Sequence, residues 1–234
     1  MDKYIINGGY KLEGEINIPG AKNSVLPILA ASVLTGKTSI ISNIPNLKDV
    51  DIMVKLLSNL GARVCFEDNI ITVDSSGINK MYLPEELVRE MRSSIILMGA
   101  MLARFGEVRI SYPGGCEIGP RPIDLHLKFL RQMGAEIEEA HGFLDCKTTG
   151  LKGCDIQLDY PSVGATENII LAAVTADGVT TIRNAAREPE IIDLQNYLNK
   201  AGAKVTGAGS SVISVEGTKS LNSCSHQIIP DRIV

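Results

Sequence analysis

The stretch that decides the fold covers residues 21–62 and reads AKNSVLPILAASVLTGKTSIISNIPNLKDVDIMVKLLSNLGA. Its first part is an apolar run that ends at Gly36, and a short β-branched run follows it. The first run is apolar on nearly all sides, which predicts a buried helix. The second helical run carries Asp51 and has apolar residues at helical spacing on one side only. The stretch therefore predicts a helix–strand–helix unit whose first helix is buried.

The same order of features returns twice, from residue 91 and from residue 163. In each copy a glycine ends the apolar run and an aspartate marks the second helix; the glycines are Gly36, Gly106 and Gly178, and the aspartates are Asp51, Asp124 and Asp193. The separations are 15, 18 and 15 residues. The middle copy is longer because of its loop around Cys116, and loops are where function is usually added to a rigid scaffold.

Three such copies predict one α/β domain with pseudo-threefold symmetry, made of βαβαββ-type units with the apolar helices inside. We place this repeat domain at residues 22–228, with units at about 22–88, 89–158 and 159–220. The second helices carry the expected core-facing stripes, which are Ile123, Leu127, Leu130 and Met133 in the middle copy and Ile191, Leu194, Leu198 and Ala201 in the last.

Composition narrows the class of protein. The chain has 234 residues, 44% of them hydrophobic and 21% charged, and a net charge of −4 without a basic run. Nucleic acid and membrane surfaces are therefore not expected partners. The start lacks the pattern of a signal peptide, and no stretch has the 18 apolar residues of a membrane span. We expect a cytoplasmic globular protein.

Cysteine and histidine usage argues against a metal site, a bound cofactor or a disulfide framework. The five cysteines are an odd number without a C-x-x-C pair, and the three histidines are scattered. Cys65 and Cys146 lie in strand-like runs, where a small side chain without chemistry is expected. Only Cys116 lies in a turn.

The repeat spacing also aligns three helix starts. Counting 14 residues back from the helix-ending glycines gives Lys22, Arg92 and Gly164. Helix N-termini offer unpaired N–H groups and the positive ends of dipoles, and two of these three starts add a cationic side chain. Their convergence predicts an anion site. The competing interpretation of Lys22 is a solvated loop lysine.

Four motifs resemble one known family. They are GAKNSVLPILAASVL (20–34), PGGCEIGPRPIDLH (113–126), SVGATENI (162–169) and NAAREPEIIDL (184–194). The chain resembles the UDP-N-acetylglucosamine 1-carboxyvinyltransferases along its whole length. The resemblance implies an enolpyruvyl-transferase-like inside-out α/β barrel, one of the family's two domains. It also implies transfer of enolpyruvyl from phosphoenolpyruvate to the sugar 3-hydroxyl, the first committed step of peptidoglycan synthesis. The related shikimate-pathway synthase shares the fold but lacks the cysteine loop.

The same resemblance implies roles for individual residues. Lys22 and Asn23 correspond to a pair that contacts phosphoenolpyruvate, and Arg92 to an arginine at the UDP-sugar site. Cys116 corresponds to a proton donor that forms an adduct with phosphoenolpyruvate and is alkylated by fosfomycin. The nucleotide is held by residues that correspond to Arg121, Pro122, Ile123, Asp124 and Leu125 and to Ser162, Val163 and Gly164.

Local chemistry is consistent with a reactive Cys116. An unperturbed thiol titrates at about 8.5, and Arg121 with the following helix N-terminus would favour its thiolate. Nearby glycines would let the loop close over substrates. The competing interpretations are an ordinary tight turn for the glycine pair and a plain helix-terminal charge for Asp124.

Length is the main departure from the resembled family, whose chains are about twice as long. By resemblance, residues 1–21 belong to the second domain as a hairpin-like segment, and 229–234 begin the crossover to it. The general base would lie in that absent half, so we expect a fragment that is inactive alone. Two alternatives stay open: a stand-alone UDP-sugar-binding or regulatory module, and a half-enzyme that pairs two chains.

Overall fold

The computed structural model describes residues 3–5, 7–11, 13–114 and 123–233. Its helices are α1 (Lys22–Thr35), α2 (Lys48–Leu60), α3 (Glu85–Glu90), α4 (Leu97–Phe105), α5 (Asp124–Gln132), α6 (Val163–Ala173) and α7 (Pro189–Lys200), and a 3-10 turn, Arg92–Ile96, leads into α4. Its strands are β1 (Thr38–Ser42), β2 (Arg63–Glu67), β3 (Ile70–Asp74), β4 (Glu107–Ser111), β5 (Glu136–Ala140), β6 (Phe143–Lys147), β7 (Asp155–Gln157), β8 (Val179–Arg183), β9 (Lys204–Thr206), β10 (Val212–Glu216) and β11 (Cys224–Gln227). No helix in these described stretches is long and apolar enough to cross a membrane.

The strands form three sheets, one for each repeat. Their orders are β11-β1-β3-β2, β4-β6-β5 and β7-β8-β10-β9. In each sheet the strand that follows the first helix pairs antiparallel with the second strand of a hairpin, as β1 does with β3 and β8 with β10. The repeated units that the sequence spacing predicts are therefore present.

Two of the predicted unit boundaries differ from the strand pairing. Strand β7 lies inside 89–158, yet it pairs in parallel with β8 of the third sheet. Tyr82 lies inside 22–88, yet it forms a parallel bridge with Arg109 on β4. In the second and third units, the segment that precedes the inner helix thus pairs with the strand that follows that helix. In the first unit this place is taken by β11, which reaches β1 from the far end of the described chain.

The inner helices α1, α4 and α6 form the centre of the domain. Helix α4 packs against both α1 and α6. Residues 24–35 of α1 are all buried, as are 165–173 of α6, which explains why these helices are apolar on nearly all sides. The chain leaves α1 and α4 through glycines in the left-handed region, Gly36 at φ 61° and Gly106 at φ 75°.

The outer helices cover this centre with one face each. Helix α5 packs on α6 and α7 packs on α1. Every residue of the two predicted stripes is buried, the most exposed being Ile123 at 8%. The amphipathic pattern in the sequence therefore predicted the correct face of both helices.

The segment before α1 differs from the predicted hairpin. Its described residues from 3 to 19 include no helix or strand, and large apolar side chains such as Tyr4, Tyr10 and Ile16 are more than 80% exposed. The first backbone pairing comes at Gly20, which bridges Pro230. The start of α1 is thus joined to the segment that follows β11.

Candidate functional site

The three helix starts are where the spacing predicts them. Lys22 is the first residue of α1, Arg92 opens the 3-10 turn that leads into α4, and Gly164 is the second residue of α6. The C-terminal ends of the three helices lie together, since Arg104 bonds Val33 and Thr175 bonds Ala103, and the 3-10 turn that Arg92 opens contacts both α1 and α6. The three starts therefore lie together at the opposite end. First-turn N–H groups and two cationic side chains give this end of the domain the character of an anion site.

Lys22 is held by two acidic residues that the sequence reasoning missed. Its Nζ lies 2.9 Å from Asp49 Oδ2, and its backbone N–H donates to Asp231 Oδ2 at 3.4 Å. The Lys22 side chain is 43% exposed, so an arriving anion can reach the ammonium. Asn23, next to it, is exposed. This arrangement keeps a cation at the start of α1 in a defined place.

The start of α6 packs closely against a side chain of α5. Ser162 caps the helix, and its Oγ accepts from the backbone N–H of Ala165 at 3.4 Å. Val163 and Gly164 follow in the first turn. A Cβ on Gly164 would lie 3.3 Å from Cε1 of His126, which is tighter than ordinary contact. A glycine at 164 therefore lets this turn sit directly against the α5 imidazole.

His126 belongs to a buried network with Asn168. The Asn168 amide is oriented by two backbone groups, since its Oδ1 accepts from Gly99 N–H at 2.7 Å and its Nδ2 donates to Ile95 C=O at 3.1 Å. The same Nδ2 lies 2.9 Å from His126 Nδ1. Nδ1 must then be an acceptor, so the ring carries its proton on Nε2. The network fixes α5, α6 and the α4 start relative to one another.

Burial and charge hold His126 in its neutral form. The pKa of His126 is lowered to about 4, mainly by burial and further by the Arg92 charge, with Asp124 opposing. The Asn168 donor at Nδ1 acts in the same direction because a protonated ring could not accept its hydrogen bond. The charges of Arg92 and Asp124 thus both act on the imidazole that lies beside the Gly164 turn.

The start of α5 carries the other described nucleotide-site candidates. Asp124 is the first helical residue and is exposed, whereas Ile123 and Leu125 are 8% and 3% exposed. The side chains of Ile123 and Leu125 thus contribute to the core, and only Asp124 presents its side chain to solvent. Cys116, Arg121 and Pro122 lie outside the described residues.

The other four cysteines are poor thiolates. Burial raises the pKa of Cys146 to about 12 and also raises the pKa values of Cys154 and Cys224. On the surface, a hydrogen bond to the Glu67 carboxylate raises the pKa of Cys65. Thiolate character governs reactivity, so each of these four thiols is expected to react slowly near neutral pH.

Gly114, at the described edge of the cysteine loop, allows a close approach of two chain segments. A Cβ at this position would lie 1.9 Å from the carbonyl oxygen of Arg89 in α3. Such a contact is impossible without a backbone shift. At Gly114 the chain therefore runs directly against α3.

Buried carboxylates near α6 form a second feature that sequence reasoning missed. The pKa of Glu167 is raised well above its usual range, first by burial and then by the charges of Glu190 and Glu188. Glu190 is 2% exposed and accepts from Arg232 at 3.2 Å. The signal was present in the sequence as three polar residues, 166–168, inside an apolar helix. Within the described stretches no group of three or more His, Cys, Asp or Glu could hold a metal ion.

Comparisons with known proteins agree with this architecture. The family model for EPSP synthase (3-phosphoshikimate 1-carboxyvinyltransferase) matches residues 6–234. A solved structure of the enolpyruvyl transferase NikO from Streptomyces tendae aligns with a TM-score of 0.84 at 26% identity, covering 97% of this chain and 54% of that one. EPSP synthase from Acinetobacter baumannii aligns with a TM-score of 0.73 at 20% identity, covering 93% and 50%, which supports the fold alone.

Curated relatives are more similar in sequence. The chain is 56% identical over 234 residues to UDP-N-acetylglucosamine 1-carboxyvinyltransferase 2 of Caldanaerobacter subterraneus subsp. tengcongensis, covering 100% of this chain and 56% of that protein. It is 49% identical to the 1-carboxyvinyltransferase of Acinetobacter baylyi with the same coverage. The chain thus spans about half the length of the curated relatives it matches. With its matching fold and family model, the chain belongs to the EPSP synthase family of enolpyruvyl transferases.

Proposed function

We propose that the full-length protein that carries this sequence transfers the enolpyruvyl group of phosphoenolpyruvate to the 3-hydroxyl of UDP-N-acetylglucosamine. The observation that carries the proposal is 56% identity, over the whole chain, to a protein named for that activity. The cluster of helix starts that carries Lys22, Arg92 and Gly164 supports it because both substrates are anions. The reaction would open peptidoglycan synthesis, in the cytoplasm.

The chemistry asks for an acid, a base and anion stabilisation. C3 of phosphoenolpyruvate gains a proton, and the sugar oxygen bonds to C2 while its own proton passes to a base. The tetrahedral species then loses a C3 proton and the C2–O bond to phosphate breaks, which releases phosphate and the enol ether. We assign the first proton to Cys116, which by resemblance also forms an adduct with phosphoenolpyruvate and is alkylated by fosfomycin. Acid–base assistance of this kind contributes about 10²- to 10⁴-fold.

The described residues supply binding and positioning. Lys22, with Asn23 beside it, would contact the phosphate of phosphoenolpyruvate, exchanging the Asp49 carboxylate for the ligand. Arg92 would contact the UDP-sugar. We assign Ile123, Asp124 and Leu125, together with Ser162, Val163 and Gly164, to the nucleotide. Arg121 and Pro122, outside the described residues, are assigned to the nucleotide by resemblance. Residues 22–228 would form one of two domains, and the closing of the second would exclude water.

The test is phosphate release from phosphoenolpyruvate and UDP-N-acetylglucosamine by the full-length protein that carries this sequence. Cys116→Ala and Lys22→Ala should each lower kcat/KM by at least about 10²-fold, because the first removes a proton donor and the second an anion contact in the transition state. We expect no detectable release by the 234-residue chain alone.

Matched control variants separate chemistry from folding. Cys154→Ala removes a thiol whose pKa is raised by burial, and Lys48→Ala breaks an exposed ion pair with Glu90 of 3.0 Å. Both should keep kcat/KM within about twofold, because an exposed pair is worth only about 0–1 kcal/mol. An active Cys116→Ala variant, or a wild-type protein that binds both substrates without releasing phosphate, would contradict the proposal.

A further inference from the structure

The repeat places an aspartate in each outer helix, and the three aspartates have different environments. Asp51 and Asp124 are exposed, whereas Asp193 on α7 is only 2% exposed. Burying a carboxylate is costly unless hydrogen bonds compensate it. The third copy must therefore give Asp193 partners that the other copies lack.

Asp193 accepts hydrogen bonds from three different segments. The hydroxyl of Ser24, in the first turn of α1, donates to Oδ2. The backbone N–H of Ile229 donates to the same oxygen at 3.3 Å. Nε2 of His226, on β11, lies 2.8 Å from Oδ1. One buried carboxylate thus joins α7, α1, β11 and the segment after β11.

The partner on the far side of His226 completes the network. Lys200 Nζ lies 3.3 Å from His226 Nδ1. An ammonium can only donate, so Nδ1 accepts and Nε2 carries the proton that is donated to Asp193. In the hydrogen-bonded series from Lys200 through His226 to Asp193, each donor thus faces an acceptor. Like Asp193, His226 is almost fully buried, at 5% exposed.

The junction lies directly beside the start of α1. The backbone N–H of Ala21 donates to the carbonyl of Ile229 at 2.8 Å, and the N–H of Asp231 donates to the carbonyl of Pro19 at 2.9 Å. Residues 19–21 and 229–231 are therefore paired main chain to main chain. Asp193 bonds Ile229 within this pair and Ser24 three residues after Ala21. Lys22 and Asn23 lie between these bonded points.

We propose that Asp193 and His226 are positioning residues that hold Lys22 and Asn23 in the place needed to bind phosphoenolpyruvate. The inference rests on the proposed function for its kinetic consequence, but the positioning itself is a property of the fold. The hydrogen bonds of Asp193 fix the turn at Ser24 relative to the segment 229–231. His226 and Lys200 in turn fix the position of the Asp193 carboxylate. Loss of either link should displace the start of α1 while leaving the Gly164 turn of the UDP-sugar site in place.

The test compares Ser24→Ala, His226→Leu and His226→Gln in the full-length protein. Ser24→Ala and His226→Leu should raise KM for phosphoenolpyruvate about tenfold, since a misplacement of about 1 Å costs up to about 10²-fold. KM for UDP-N-acetylglucosamine should change less than about twofold in both. The amide of glutamine can still donate to Asp193, so His226→Gln should recover most of the loss.

A control and a second readout make the result decisive. Tyr197 is also on α7, and its hydroxyl makes a buried 2.8 Å hydrogen bond to Ser39 on β1, which Tyr197→Phe removes. This substitution should lower the melting temperature about as much as Ser24→Ala and leave both KM values unchanged. Amide exchange of residues 20–25 should accelerate in Ser24→Ala and His226→Leu but not in Tyr197→Phe.

The outcomes separate the inference from the function. Unchanged exchange at 20–25 in Ser24→Ala and His226→Leu overturns the inference, as does an equal rise of both KM values. A wild-type protein that releases no phosphate overturns the proposed function, and the exchange measurement still decides the positioning. Selective loss of phosphoenolpyruvate affinity, together with faster exchange at 20–25, supports both.

Discussion

The two ends of the three inner helices differ in what the repeats have in common. At the C-terminal end each repeat places a glycine at the same position, and all three adopt positive φ, 61° at Gly36, 75° at Gly106 and 99° at Gly178. At the N-terminal end the equivalent positions carry three different residues, Lys22, Arg92 and Gly164. A feature that every repeat shares is required by backbone geometry. A feature that differs between repeats has been fitted to chemistry.

Side chains at the C-terminal end also serve the fold. Arg104 donates to the carbonyls of Val33 and Ser75 at 2.7 and 2.9 Å, and Thr175 donates to the carbonyl of Ala103 at 2.7 Å. The carbonyls of Val33 and Ala103 are among those that helix ends leave unpaired. The cations and amides at the opposite end instead belong to the candidate anion site.

The largest effect that would sharpen this comparison concerns His126 at the N-terminal end. Its folded pKa is about 4 and its unfolded value 6.5, so between these pH values only the unfolded chain binds a proton. Stability must fall as pH falls through this window, by about 3 kcal/mol in total, and the loss ends below about pH 4. His126→Asn keeps an acceptor for Asn168 and does not titrate. Urea unfolding from pH 7 to 4 should therefore show a shallower loss in the variant.

Comparing wild type with His126→Asn separates the pH dependence due to His126 from that of other groups. The raised pKa of Glu167 gives a pH dependence of the opposite sign, because its protonated form is the one that the fold favours, and it is common to both proteins. Parallel stability curves for wild type and His126→Asn would contradict the buried neutral imidazole.

A smaller effect is expected from the two glycines near the ends of α6. A Cβ on Gly178 meets nothing within 4 Å, so Gly178→Ala costs only the left-handed backbone, about 1–2 kcal/mol. It should lower the urea midpoint without changing affinity for UDP-N-acetylglucosamine. Gly164→Ala should weaken that affinity, since the new methyl group crowds His126. Calorimetric titration of both variants measures this, and an equal affinity loss in both would break the comparison.

Much of the fold could be predicted from the sequence because its signals are local. Helix starts, helix-ending glycines and core stripes follow from spacing within about 50 residues. The pairing of β11 with β1 was not readable, because its register joins Ser39 to Cys224 and nothing near Ser39 encodes that partner. Strand β7 was placed in the wrong unit for the same reason: counting residues does not say which sheet a short strand joins.

The candidate site was readable in part. Repeat spacing identified Lys22, Arg92 and Gly164, and resemblance supplied the roles, which stay predictions. The Asn168 to His126 and Asp193 to His226 contacts were missed because each joins residues more than 30 positions apart. A polar residue inside a wholly apolar helix, such as Asn168 in α6, was the available signal that a partner had to exist.

The most direct test of the central claim is a crystal structure of the full-length protein with UDP-N-acetylglucosamine bound. The account predicts the diphosphate within about 3 Å of the first-turn amides at Val163 and Gly164, with the Arg92 side chain turned toward the ligand. A ligand seated instead at the C-terminal end of the inner helices, in the cavity of about 560 Å³ beside Arg104 and Lys219, would contradict it.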